Sequence, residues 1–145
     1  MHVHKQLRDA VMAQVTGLVT TGLRVFSSRV YPMEESEMPG LCVFVLRDEA
    51  TPLTIHELQY ERLTEVKVQG YAKTVGDMED VLDQMKSEVE TALAGLTLVN
   101  DKAIYLVYSG CESELLGEGD QKHGVVTMSY RASLVTNAVA PDILI

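Results

Sequence analysis

A few groupings in the chain have residue types that could do chemistry. His2 and His4 form an H-x-H pair. Imidazoles suit zinc, but a zinc site needs three or four convergent donors, and His56 and His123 are remote in sequence. Glu34, Glu35 and Glu37 crowd three carboxylates into one short segment, the oxygen chemistry that holds a divalent cation. The alternating Asp/Asn pattern and the glycine of a calcium loop are missing, so a solvated acidic loop is the plainer reading. The GEGD run at Gly117–Asp120 has no following Lys-Ser/Thr and no strand-to-helix setting, so it is not a phosphate loop. Ser109, in YSGCES, lacks the G-x-S-x-G context of an activated serine, and Cys111 lacks a nucleophile's local signature. No metal, cofactor or catalytic constellation is expected. An enzyme stays open as an alternative, because catalytic sets need not be local in sequence.

Composition points the same way. The 145 residues are enough for one domain with a substantial core, at 46% hydrophobic and 23% charged. A net charge of −9, with twelve scattered Lys and Arg, disfavours a surface that neutralises phosphates or sits on an anionic membrane. No apolar run reaches the roughly 18 residues of a membrane span, and MHVHKQLRDAV has no signal-type core. Cys42 and Cys111 read as reduced thiols of a cytoplasmic protein, with a disulfide as the alternative.

The periodicity defines the elements that must position any site. Leu7, Val11, Val15 and Leu18 make the apolar stripe of a helix over His4–Leu18, with a poor N-cap. Arg24–Tyr31 reads as a strand ended by Pro32. An acidic loop closed by Pro39-Gly40 follows, then a strand Leu41–Leu46 that is apolar on both faces. One of those faces is free to meet another subunit. Glu49–Leu58 reads as a ten-residue loop whose Leu53, Ile55 and Leu58 suit contact rather than slack. Tyr60–Tyr71 alternates as a strand with one polar face. Met78, Val81, Leu82, Met85, Val89 and Leu93 define a second helix over Asp77–Leu96, capped by Asp77 and carrying acids outward. Two strands follow, from Ala103 to Tyr108 and from Val125 to Thr136, joined through a hairpin turn near Gly117–Asp120.

The expected fold is therefore α+β: a single domain with a mainly antiparallel four- to five-stranded sheet, two helices packed on one face, in the order α-β-β-β-α-β-β. Residues 1–136 form that domain. Residues 137–145, with Pro141 and the oily Ile143, Leu144 and Ile145, form a C-terminal extension suited to docking on a neighbouring subunit.

HKQLRDAV at His4–Val11, RVYPMEESEMPGLCVFV at Arg29–Val45, MEDVLDQM at Met78–Met85 and the last strand MSYRASLVT resemble the tail terminator family of long-tailed phages, the lambda-type minor tail protein U family. The resemblance covers most of the chain to Thr136. The loop with Pro32, Glu34, Glu37 and Pro39-Gly40 is its most specific piece. It implies a structural protein without cofactor or catalysis, which forms a hexameric ring with itself on the end of the tail tube and stops tube polymerisation. It implies contact with the major tail (tube) protein and with a head-tail connector protein. DNA would only pass through the lumen, and there would be no membrane partner. The setting would be the host cytoplasm during assembly, then the virion tail. Candidate interface residues on this reading are Arg29, Glu34, Glu35, Glu37, Leu53, Ile55, Leu58, Ile143, Leu144 and Ile145. A different tail morphogenesis protein, such as a completion protein or tube subunit, and a small non-phage binding domain or enzyme are the alternatives.

Overall fold

In the computed structural model, residues 1–27, 38–56, 58–74, 76–116 and 122–145 are described. The elements run α1 (Val3–Val15), β1 (Val25–Phe26), β2 (Gly40–Pro52), β3 (Gln59–Thr74), α2 (Met78–Ala92), β4 (Leu96–Val99), β5 (Lys102–Leu116), β6 (Lys122–Asn137) and β7 (Ala140–Leu144). The α+β class and the two helices are as the sequence implies. The sheet is larger, with seven strands in the order β1-β2-β3-β6-β5-β4 and β7 added to β6. Every pairing is antiparallel except the two-residue contact of β1 with β2.

Period-two alternation explains the layering. Thr64, Val66, Val68 and Ala72 on β3, and Val126, Met128, Tyr130, Ala132 and Leu134 on β6, all point to one face. There they form a single core with Val3, Leu7, Val11 and Val15 of α1 and Met78, Leu82, Met85 and Val89 of α2. Both helices therefore cover the same face. The opposite face is mostly polar, with Glu65 paired across to Arg47 and Arg131, and Gln69 to Thr127. Two glycines bring α2 close to the sheet. A Cβ at Gly124 would lie 2.6 Å from Met78 Sδ, and one at Gly70 would lie 2.5 Å from Met85 Cε.

Several sequence expectations need correction. The strand expected over Arg24–Tyr31 is described only as Val25–Phe26; residues 28–37 lie outside the described residues. The loop expected from Glu49 is strand as far as Pro52, because β2 runs at the margin of the sheet, where charges and a terminal proline are tolerated. Of the second apolar face of β2, Cys42 is covered inside the chain by Tyr71, Phe26, Met38 and Val125, whereas Leu46 is exposed. β4 was not foreseen; it returns to β5 through Asn100 and Asp101, both at positive φ (50° and 67°), as a two-residue hairpin of the primed type. The segment 137–145 holds β7, which pairs with β6 of its own chain. The turn expected near Gly117–Asp120 falls outside the described residues, although β5 and β6 pair antiparallel up to Leu116 and His123.

Helix ends follow local chemistry. Asp77 caps α2 by accepting from the N–H groups of Glu79 (3.0 Å) and Asp80 (3.4 Å). At α1 the cap is His2, whose Nδ1 accepts from the His4 N–H at 3.1 Å. The turn after α1 is held from α2: Glu88 accepts from Thr20 N–H (2.8 Å), Thr20 Oγ1 (2.6 Å) and Gln84 Nε2 (2.9 Å). Burial raises the Glu88 pKa, but these hydrogen bonds outweigh it and leave the carboxyl below its ordinary value of 4.5. A lowered native pKa gives stability that is complete above the unfolded value and is lost as pH falls through the native one. Glu88→Gln is expected to lose about 1 kcal/mol at neutral pH and to flatten the acid limb of stability below about pH 4.5. Denaturant midpoints of both proteins at neutral and acid pH check this.

Candidate functional site

The interface residues proposed from sequence fall into three groups. Arg29, Glu34, Glu35 and Glu37 lie outside the described residues. Leu53, Ile55 and Leu58 sit at the tip of the β2–β3 hairpin, just beyond the last rung, Pro52 opposite Tyr60. The tip is built, not slack: Leu53 N–H donates to Gln59 O at 2.8 Å. All three side chains are exposed, Ile55 almost completely (93%). Ile143 and Ile145 are exposed on and beyond β7, whereas Leu144 between them is buried (6%) in the chain's own core and is not available as a contact.

The structure adds a residue that the sequence reading missed. Ala138 N–H donates to Leu58 O at 2.8 Å, which fastens the β6–β7 turn beside the hairpin tip. In that turn Val139 N–H donates to the Asn137 side chain at 3.2 Å, and the Val139 side chain stands 90% exposed. Leu53, Ile55, Leu58 and Val139 therefore share one end of the sheet. A single valine in a polar turn leaves no periodic signal; the only hint was an apolar residue between Asn137 and Pro141. Scattered apolar residues on a surface are ordinary, but a cluster on two braced turns is the composition of a protein contact.

A part-buried polar network stiffens the sheet just inside this end. Arg62 Nη1 donates to Asp48 Oδ2 at 2.8 Å, and Arg62 Nε donates to Thr136 Oγ1 at 2.9 Å. The same Asp48 oxygen lies 2.7 Å from His4 Nε2. Strands β2, β3 and β6 and helix α1 are thereby tied at one point. Gln6 of α1 also donates to Asp142 O at 2.6 Å, which holds β7.

The groups first examined for chemistry have other partners. His4 faces Asp48 and His2 caps α1. Among the described residues no cluster of three or more His, Cys, Asp or Glu could hold a metal ion. Ser109 Oγ donates to the Ser129 carbonyl at 3.1 Å. Cys42 is buried and Cys111 exposed, and neither is joined in a disulfide. Beside Cys111, α2 and β5 leave an open groove of about 610 Å³ lined by residues including Asp83, Lys86, Glu90 and Tyr108. Hydrogen bonding to Cys111, burial and Glu90 together raise the Tyr108 phenol pKa, and burial pushes Tyr130 up to about 12. Both phenols stay neutral donors at physiological pH, unsuited to act as bases.

The family model for phage minor tail protein U matches residues 2–112, from α1 into β5, so β6 and β7 lie beyond the match. No curated protein matches the chain. A chain in the structure "Virion of native gene transfer agent (GTA) particle" is similar over 91% of this chain and 92% of that one, with 15% identity and a TM-score of 0.49. With most of its length matched by the family model, the chain belongs to the phage minor tail protein U family and is a structural protein of the viral tail.

Proposed function

We propose that this tail protein is the terminator: six copies form a ring on the last ring of the tail tube, stop its growth and present the surface that receives the head connector. The observation that carries this reading is the apolar end of the sheet, where Leu53, Ile55, Leu58 and Val139 are held outward by hydrogen-bonded turns in a member of a tail-protein family. That end is the face assigned to the tube. The role needs no catalysis and no cofactor; it needs a rigid end to seat on and lateral contacts of two complementary kinds, since a ring is built from heterologous interfaces. The outward acids of α2 (Glu79, Asp80 and Asp83) suit a wall that repels passing DNA by like charge.

Light scattering over a range of protein and magnesium concentrations, with micrographs of the large species and of tails grown with the protein present, tests the reading. Rings of six and tubes of uniform length are expected. Open-ended tubes of this protein alone would identify a tube subunit instead. A monomer under every condition, tail tubes included, would overturn the assembly role.

A further inference from the structure

Two strands expose backbone edges on opposite margins of the sheet. β5 pairs with β6 from Leu106 to Leu116 and with β4 only over Lys102–Tyr105. β2 pairs with β3 on one side and with β1 only at Leu41 and Cys42. Among the described residues, no strand covers the outer edge of β5 beyond Tyr105 or that of β2 beyond Leu46. An uncovered edge is a template for another strand unless it is short, charged or kinked. Beyond Tyr105, β5 is long and has no proline or lysine; it is bulged between Tyr108 and Gly110 and carries Glu112 and Glu114, but Val107, Tyr108 and Leu115 are exposed along it.

We infer that the β5 edge of one copy pairs antiparallel with the Leu46–Thr51 edge of β2 in the next copy, so that the ring is joined by a sheet continuous across subunits. This inference rests on the ring reading above. Three observations select a second copy of this chain as the occupant. The first is direction. The β2, β3, β6 and β5 strands alternate in sense, so β5 and β2 run oppositely. Rotation about an axis roughly along the strands preserves that relation, and the new ladder is antiparallel. The second is space. On the helix-covered face α2 stops short of the β5 edge and leaves the groove lined by Asp83, Glu90, Tyr108 and Cys111. Since α1 packs on β2 as well as on β4, a neighbour added at this edge brings its own α1 to the same side of the sheet as that groove. The third is charge. The groove carries Glu90 and an Asp83 already bridged to Lys86. Helix α1 carries Lys5, bridged to Asp9 of its own helix, and Arg8, whose Nε has no hydrogen-bond partner in its own chain, which leaves Glu90 and Arg8 as the complementary pair. On the polar face, the exposed Arg47 of β2, paired with Glu49 in its own chain, has Glu112 and Glu114 of β5 as further partners to meet.

The exposed native thiol on β5 supplies the test. Leu46→Cys and Ala50→Cys are made separately in the full chain, and each is treated with a short bifunctional maleimide after ring assembly has been confirmed by light scattering. Cys42 is buried and stays out of the reaction. The two sites are about 13 Å apart along β2, so an antiparallel ladder brings Cys111 of the neighbour within reach of at least one. A series of cross-linked species up to six subunits is expected at one position or both, and its loss when Cys111→Ser is added. Rings that give no cross-linked species at either position would overturn the shared sheet while leaving the ring reading intact. Cross-linked pairs with nothing larger would overturn the head-to-tail joint. Failure to form rings even on tail tubes would overturn both.

Discussion

A subunit carrying Ile55→Asp and Val139→Asp is expected to fold normally and to lose its capture by tail tubes. Both side chains are at least 90% exposed, so the substitutions remove almost no contact within the chain. Surface changes of this kind move stability by roughly 0.5 kcal/mol or less. At a closed interface, however, each carboxylate would be taken out of water without a partner. Even a modest penalty of about 2 kcal/mol for each lowers affinity about a thousandfold in total. Co-sedimentation with tail tubes measures the capture, micrographs measure tube length, and a thermal melt verifies the fold. Normal capture and normal tube length by the doubly substituted protein would remove this end of the sheet from the tube contact.

Asp48→Ala is expected to be the most damaging single substitution for stability among those considered. It leaves the Arg62 guanidinium, 16% exposed, with Thr136 as its remaining partner, and it frees His4 from β2. Removing one member of a fully buried ion pair costs about 3 kcal/mol or more, chiefly because the other charge stays buried; this pair keeps some contact with solvent, and a loss of about 2 kcal/mol is expected. For a chain of this size that corresponds to a fall in Tm of about 6 °C. The cause can be separated from simple loss of packing. Asp48→Ala with Arg62→Met removes both charges and is expected to recover most of the stability, a coupling that a double-mutant cycle reads directly. Equal loss in the single and double variants would show that the ion pair is not what ties these strands together.

The sequence disclosed the regular parts of this fold and hid the marginal ones. The second helix was legible because its stripe from Met78 to Leu93 is long and Asp77 is a good cap. The paired strands β3 and β6 were legible because one face is buried and the other polar, which enforces alternation. β2 was cut short in the reading because Arg47, Asp48, Glu49 and Pro52 resemble loop residues; they are the residues an edge strand tolerates. Strand β7 takes its place from a short pairing with β6, from one buried residue, Leu144, and from a hydrogen bond made by Gln6 of α1, none of which has a period. The candidate site was half visible for the same reason. Leu53, Ile55 and Leu58 attracted notice as apolar residues in a supposed loop, but Val139 joins them only through a backbone bond across the sheet.

The pairing of β3 with β6 also governs timing. It joins Gln59–Thr74 to Lys122–Asn137, strands separated in the chain by a helix and two other strands. During synthesis the β2–β3 hairpin can close early, but the strand that completes the middle of the sheet emerges much later, and the Val139 turn later still. Sheets dominated by such distant pairings fold on the slow side, in milliseconds to seconds. On the proposed terminator role, a nascent chain has no finished end with which to hold a tube, and growth of the tube would not be interrupted by a subunit still on the ribosome.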